Sequence, residues 1–493
     1  MLTSTYKWSF IERIIVQIFQ LTIIIITSRY IPPKEFGAFG ITAVVVSISQ
    51  VFIDSGFTSA LIRKKEHTQE ELSSVFFTSI LISIGCVSII YFSSPFIGRY
   101  YLFPELTELL RISSIVILVN SFAIIPKVIL TVRLDFKSIA SSSIIAVIIS
   151  GIISVTLAIH SYGVFALLMQ VISYNSINII LLSFRAKWMP DLIYNFSAIK
   201  KLSHFSIKLL LSGLIDAFYQ NSYTLFIGKQ MSIHDVGIFS QGKRLSDIPA
   251  LTITNALQRA NLAETRNINE KGDKCYQQYL INSIQFSMLF MIPTMILLSI
   301  ISTPLVSLLI GEKWNDSSLI ISILSISGCF YPLHVLNQNI LIIKGRSDLH
   351  LKLEFVKKII GFSFLLVTLP FGLIWLCIGI LVHSFLSVFI NAYYSFQLIG
   401  VTIKQQLKVC IIPILIGLIG WGGESILNHL VLFFLTGYDV NHYVLSLITI
   451  IIALLSFVIS YLAISFFFYK NELSKVMAKI RGKNVTVNNH PNI

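Results

Sequence analysis

Three charged residues interrupt an apolar stretch. The run "VGIFSQGKRLSDIPALTI", residues 236–253, holds Lys243, Arg244 and Asp247. If it crosses a bilayer from near Val236, the two bases lie about seven or eight residues in, ~11 Å deep at 1.5 Å per residue. A charge inside the membrane costs ~2.5–3.5 kcal/mol on insertion scales, so such a residue faces a cavity or a partner. Asp247 is one helical turn from both bases and within reach of either. One acid cannot balance two bases. The surplus positive charge suits an anion, and phosphate gains both charge and hydrogen bonds from a basic donor. Arg244 and Lys243 are therefore the candidate substrate-binding residues, with a self-contained ion pair as the alternative.

Other polar groups lie in apolar text. Asp216 suits cation or proton coupling, or a structural hydrogen bond. Asp54, in "DSGF", and Asp247 are further coupling or cavity candidates, with a cap or turn as the alternative at Asp54. Gln20 and Gln220 are candidate cavity positions, or polar glue between helices. Glu12 and Arg13 suit an interface, and His334 and His383 suit core positions. The sequence shows no nucleophile–base set, GxxxxGK[ST] loop, HExxH or paired-carboxylate pattern. The five cysteines form no CxxC pair, so neither a zinc site nor a disulfide framework follows. The expectation is a non-enzyme without bound cofactor or metal. Any driving force would then be a sodium or proton gradient.

The elements that position these residues are apolar. Of 493 residues, 55% are hydrophobic and 12% charged, against about 25% charged in soluble domains. Mean hydropathy is +0.80. Runs near the ~20 residues needed to cross ~30 Å of hydrocarbon recur along the chain. They predict an all-α membrane protein with about 14 transmembrane helices, near 10–30, 36–57, 73–97, 109–131, 139–160, 162–184, 205–228, 236–257, 276–300, 316–342, 354–369, 371–398, 409–430 and 442–468. The first run lacks a cleavage site and reads as a retained helix rather than a signal peptide.

Charge placement predicts the orientation. Of the 37 lysines and arginines, 29 fall on the N-terminal side of the alternating connections, two lie inside a span, and six fall on the other side. Those six are Arg29, Lys34, Arg99, Arg111, Lys229 and Lys313. Both termini are expected in the cytoplasm. The basic loops read as topology signals and lipid-headgroup contacts, which excludes a nucleic-acid partner.

The chain also restates itself. "SRYIPPKEFGAFG" at 28–40 aligns with "GKQMSIHDVGIFS" at 228–240, setting Arg29 on Lys229, Glu35 on Asp235, Gly37 on Gly237 and Phe39 on Phe239. At an offset of 209, Pro95 falls on Pro304 and Gly163 on Gly372. Spans 1–6 and 7–12 thus read as two copies of one six-helix unit. Because six is even, both have the same orientation, related by an axis along the membrane normal. The expected organisation is a six-helix lobe at 1–184, a cytoplasmic linker at 185–204 and a second lobe at 205–400. Two further helices follow within 401–470, then a basic cytoplasmic tail at 471–493. Two parallel lobes around a central cavity are a transporter plan.

"PPKEFGAFGI", "FIDSGFTSALIRKKEHTQEELSSVFF", "RLDFKSIA", "SYGVFALLMQ", "LFIGKQMSIHDVGIFSQGKRLSDIP", "PLVSLLIGEKW" and "LIIKGRSDLHLKLEF", in that order, resemble the bacterial Wzx-type polysaccharide exporters. These belong to the multidrug/oligosaccharidyl-lipid/polysaccharide exporter superfamily. The resemblance covers roughly residues 10–400. It implies a flippase for undecaprenyl-diphosphate-linked oligosaccharides in the bacterial inner membrane, working by alternating access in O-antigen, capsule or exopolysaccharide synthesis. Membrane lipids and other polysaccharide assembly proteins are the implied partners. Arg244 matches a common arginine of the family. Tyr223 stands where many relatives have an acid, and Gln241 where a second base is frequent; here the extra base is Lys243. The alternative functions are a drug or cation antiporter of the same superfamily and, below it, a multi-pass polysaccharide polymerase or ligase.

Overall fold

The computed structural model describes residues 2–54, 57–63, 67–269, 272–435 and 442–468. The expected tail at 471–493 and the loop bases Lys64, Lys65 and Lys271 lie outside the described residues. In chain order the helices are α1 (Leu2–Tyr30), α2 (Pro33–Asp54), α3 (Phe57–Arg63), α4 (Gln69–Tyr100), α5 (Leu106–Val132), α6 (Phe136–Ile159) and α7 (Val164–Ala186). Then come α8 (Phe196–Gln230), α9 (Ile233–Asn269), α10 (Asp273–Ile300), α11 (Ser302–Leu309), α12 (Asp316–Gly328) and α13 (Tyr331–Ile343). The last five are α14 (Ser347–Thr368), α15 (Leu373–Ile399), α16 (Ile403–Lys408), α17 (Ile411–Leu435) and α18 (His442–Phe468). No strand occurs among the described residues.

Helix starts follow local chemistry. Thr68 and Glu71 form a capping box on α4, Asp135 caps α6 through the Ser138 amide, and Asn195 caps α8 through the Ala198 amide. Each satisfies an amide that the helix itself leaves open. The two repeated corners start differently. Pro33 opens α2, where its missing N–H costs nothing. Ser232 opens α9 by accepting from the Asp235 amide.

Eleven segments among the described residues are long and apolar enough to cross a membrane, with α12–α13 and α16–α17 each counted as one. The expected spans outside that set are α8, α9 and α14, which run 35, 37 and 22 residues. Their length suffices, but their composition is too polar. They carry Asp216, Gln220 and Asn221; Lys243, Arg244 and Asp247; and Glu354, Lys357 and Lys358. With these three the helices are consistent with the 14 read from the sequence, and the polar three hold most of the candidate residues. Span 10 is kinked at Cys329–Phe330, between α12 and α13, with Pro332 in the new first turn.

The chain forms two compact units. The first is Met1–Gln241 with Ile310–Trp314 and Leu369–Leu373; the second is Gly242–Leu309, Asn315–Thr368 and Ile374–Ile493. The division falls inside α9. In the first unit, α6 presents a buried stripe of small residues, Ser143, Val147, Ser150, Gly151 and Ser154 among them. A side chain at Gly151 would meet Ile23 Cδ1 of α1 at 2.5 Å. Small residues at such a seam let helices approach closely, which is how packing holds a bundle whose surroundings are as apolar as its core. In the second unit, Tyr276, Leu280, Ile284, Met288 and Met295 of α10 pack on Leu333, Leu336 and Ile340 of α13. Leu81, Ile89, Phe92 and Phe96 on α4 are more than two-thirds exposed. In a membrane protein these face acyl chains.

Candidate functional site: a cationic pair and a crossing of glycines

The cationic pair lies on α9 in the second unit. Lys243 is half-buried and Arg244 is exposed. Asp247 has a different partner from the one its spacing predicts. The Tyr331 hydroxyl, at the start of α13, donates to Asp247 Oδ1 at 3.1 Å. No ion pair within 4.0 Å joins Asp247 to Lys243 or Arg244 among the described residues, and Lys243 acts on the carboxylate only through space. The pair is therefore less compensated than the sequence implies. Sequence reading missed Tyr331, because an 84-residue separation carries no local signal.

The other candidates are dispersed. Asp216 is half-buried on α8, Gln220 is exposed on α8, and Gln20 is half-buried on α1. Asp54 is the last residue of α2 and is exposed. Gln50 donates to its Oδ1 at 3.3 Å, and Asn120 of α5 donates to Gln50 Oε1 at 2.8 Å. This short polar chain ties α2 to α5, a structural use. His334 and His383 have structural partners. His334 is 3.2 Å from Ser384 Oγ and 3.0 Å from Asn391 Nδ2, and His383 Nε2 meets the Lys357 carbonyl at 3.0 Å. A charged pair that the sequence reading did not single out lies inside α14. Lys357 Nζ is 2.5 Å from Glu354 Oε1, which also accepts from Gln338 Nε2 at 2.7 Å. The i,i+3 spacing was the available signal.

The two departures from the family pattern have local explanations in the first unit. Gln241 is buried and donates to Ser28 Oγ at 2.9 Å, a neutral bond where a second base would bury a charge. Tyr223 stacks on Phe239, ring centroids 6.2 Å apart and 17° between planes.

The repeated corners meet each other in the first unit. A Cβ at Gly37 would lie 1.7 Å from the Ile233 carbonyl oxygen, and a Cβ at Gly237 would lie 1.9 Å from the Pro33 oxygen. Position 33 is the repeat equivalent of 233, and 37 of 237. The reciprocity continues outward. Gln241 bonds Ser28, while at the equivalent pair Gly228 faces Ile41 Cδ1, 3.2 Å from an ideal Cβ. Further bonds surround the crossing at positions that are not repeat equivalents: Lys229 Nζ donates to the Tyr100 carbonyl at 2.9 Å, and Lys313 Nζ donates to the Arg29 carbonyl at 2.9 Å. Tyr101 donates to the Leu225 carbonyl and Trp314 Nε1 to the Ser28 carbonyl. A contact in which i meets j while their equivalents meet in reverse is what a two-fold axis produces. This is why the charged corner is written twice. Both copies stand on a local dyad, at the same end of the bundle, and only glycine fits where the helices cross. The second repeated pair agrees: Gly163 and Gly372 precede α7 and α15 with φ of +55° and +99°. At Gly163 a side chain would meet Glu35 Oε2, the atom that accepts from the Val164 amide.

Residues 26–319 match the family described as "Polysaccharide biosynthesis protein". Among curated proteins, the teichuronic acid biosynthesis protein TuaB of Bacillus subtilis (strain 168) is 24% identical over 348 residues, 70% of this chain and 72% of that one. The lipopolysaccharide biosynthesis protein WzxC of Escherichia coli (strain K12) is 20% identical over 368 residues, 72% of each. Among solved structures, the lipid II flippase MurJ in an inward closed conformation superposes with a TM-score of 0.72 at 17% identity, covering 96% of this chain and 100% of that one. That likeness is one of fold.

Proposed function

The chain belongs to the polysaccharide biosynthesis protein family, and from that membership we propose that it carries oligosaccharides linked to undecaprenyl diphosphate across the bacterial plasma membrane for surface polysaccharide assembly. It is a multi-pass membrane transporter of the flippase fold rather than an enzyme. The names of TuaB and WzxC support polysaccharide assembly, and that of MurJ a lipid-linked substrate. The observation that carries the reading is the cationic pair Lys243–Arg244, whose neighbour on the same helix, Asp247, accepts from Tyr331. A diphosphate supplies the missing negative charge and accepts charge-assisted hydrogen bonds. In this reading two six-helix lobes, 1–184 and 205–400, open alternately to the two sides. Water in the cavity solvates the sugars while the polyprenyl chain stays in lipid. A sodium or proton gradient supplies the drive, with Asp216 as the coupling candidate. Deleting the gene should remove the surface polysaccharide and accumulate lipid-linked repeat units. Normal polysaccharide in the deletion strain would reject the proposal.

The charge asymmetry supports a topology with both termini in the cytoplasm. In that topology the connection between α7 and α8 is cytoplasmic and the one between α6 and α7 is outside. Met189 and Tyr162 mark the two connections, and both are exposed, at 82% and 58%. In a cysteine-free background, a membrane-impermeant thiol reagent should label Tyr162→Cys on intact cells and reach Met189→Cys only after permeabilisation. The reverse pattern would invert the topology.

A further inference from the structure

At the glycine crossing, a cavity of about 280 Å3 is lined by Lys34, Tyr100, Tyr101, Phe103, Lys229 and His234, with Ser232 and apolar residues completing the wall. Lys34 and His234 are repeat equivalents, so the local dyad brings a basic group to the cavity from each corner. No carboxylate lines it among the described residues. The acids beside it in sequence are engaged: Glu35 accepts from the Val164 amide, and Asp235 accepts from Ser232 Oγ at 2.7 Å. Positive charge is scarce on this side of the chain. Of the six bases there, Lys34 and Lys229 line the cavity, and Arg29 and Lys313 meet at the same crossing. Insertion selects against bases on that side, yet these gather at one place; Glu35 acts through space on Lys313, while Lys34 and Lys229 face the cavity.

The walls add aromatic faces to the cations. Lys229 Nζ lies 4.1 Å from the Tyr100 ring centroid and Lys34 Nζ 5.1 Å from that of Phe103. Lys229 commits one donor to the Tyr100 carbonyl, and an ammonium has three. Burial pushes the Tyr101 phenol up to about 12, so it stays a protonated, neutral hydroxyl. Cations flanked by aromatic faces suit a ring that is apolar on one face and carries an acid at its edge. The volume is just below the ~300–1,000 Å3 of ordinary ligand pockets, enough for a single sugar ring rather than a chain.

We infer that this cavity binds an acidic sugar, one carrying a carboxylate or phosphate, at the face opposite the basic loops. It is a second saccharide contact, separate from the diphosphate site at Arg244, and it rests on the transport reading above. The same oxyanion chemistry could come from an anionic lipid headgroup, so the test separates the two. Full-length protein in phosphatidylcholine nanodiscs is titrated with a glucuronate-containing tetrasaccharide and with a neutral tetrasaccharide, read by saturation-transfer NMR. The same titration is repeated with phosphatidylglycerol in the disc. The acidic probe should bind, the neutral one should not, and phosphatidylglycerol should leave the affinity unchanged. The Lys34→Gln, Lys229→Gln double variant should bind about ten-fold more weakly, and the double arginine variant should keep binding, which separates lost charge from lost folding. Equal binding of both sugars, or unchanged binding in the glutamine variant, overturns the inference. Displacement of the acidic probe by phosphatidylglycerol reassigns the cavity to lipid and overturns it too. Surface polysaccharide in the deletion strain reports on transport independently, so failure of the cavity and failure of the function are read by different assays.

Discussion

Gly37→Ala should remove most export and lower thermal stability, although alanine is the better helix former. In an open helix the exchange gains about 1 kcal/mol. Gly85 is such a site, with no atom within 4 Å of where the methyl carbon would sit, so Gly85→Ala should be neutral or mildly stabilising. At Gly37 the methyl would fall 1.7 Å from the Ile233 carbonyl oxygen. Backbone, unlike the end of a flexible side chain, cannot swing aside, so α2 and α9 must part. Overpacking costs typically about 1–3 kcal/mol. Parting these helices also strains the bonds around the crossing, including Gln241–Ser28 at 2.9 Å. Gly237→Ala should behave alike, since its methyl would meet the Pro33 oxygen at 1.9 Å. Because both substitutions open one crossing, the double variant should be little worse than either single, a strongly non-additive result. Gly40→Ala is the near control: its closest neighbour is Val236 Cγ1 at 3.3 Å, a side chain that can give. The measurements are surface polysaccharide and the melting of the purified protein. If Gly37→Ala melts and exports like Gly85→Ala, the crossing is not the constraint described.

The crossing also shows what the sequence could carry. Glycine at 37 and 237 was legible as a repeat because a dyad contact demands the same small residue from both copies, and that demand is local to each copy. The polar pair at the same axis was not legible. Ser28 and Gln241 are 213 residues apart, and their equivalents, Gly228 and Ile41, meet through apolar contact instead, so no pattern repeats. The spans were read from apolar length, and the reading included the more polar α8, α9 and α14. α8, α9 and α14 are the ones whose composition alone falls short, and they carry most of the candidate polar groups. At Asp247 the spacing rule found two possible partners on its own helix and missed the one that bonds it. Tyr331 reaches it from the first turn after a kink, and neither the kink nor its direction is encoded in i,i+4 spacing.

Arg244→Ala should cut transport by roughly ten- to a hundred-fold while leaving the protein inserted at normal abundance. A hydrogen bond to a charged group contributes about 1.5–3 kcal/mol, and that range sets the expected loss if one guanidinium contact to the diphosphate disappears. Arg244→Lys should keep partial transport, because charge survives while the bidentate fork does not. Lys243→Ala should cost less than Arg244→Ala, since part of the Lys243 field already falls on Asp247. Tyr331 sharpens the role of Asp247. Its hydroxyl at 3.1 Å holds the carboxylate away from the pair. Tyr331→Phe removes that donor and frees Asp247 to compete with the substrate for Lys243 and Arg244. Tyr331→Phe should therefore reduce transport, and adding Asp247→Asn should restore much of it by removing the competitor. Asp247→Asn alone should be mild, because the amide oxygen still accepts from Tyr331. Surface polysaccharide normalised to membrane abundance decides between this arrangement and a purely structural one. Normal export by the Lys243→Ala, Arg244→Ala double variant would reject the pair as the diphosphate site. A Tyr331→Phe defect that Asp247→Asn deepens rather than relieves would show that Asp247 supports the helix packing and does not compete for the cations.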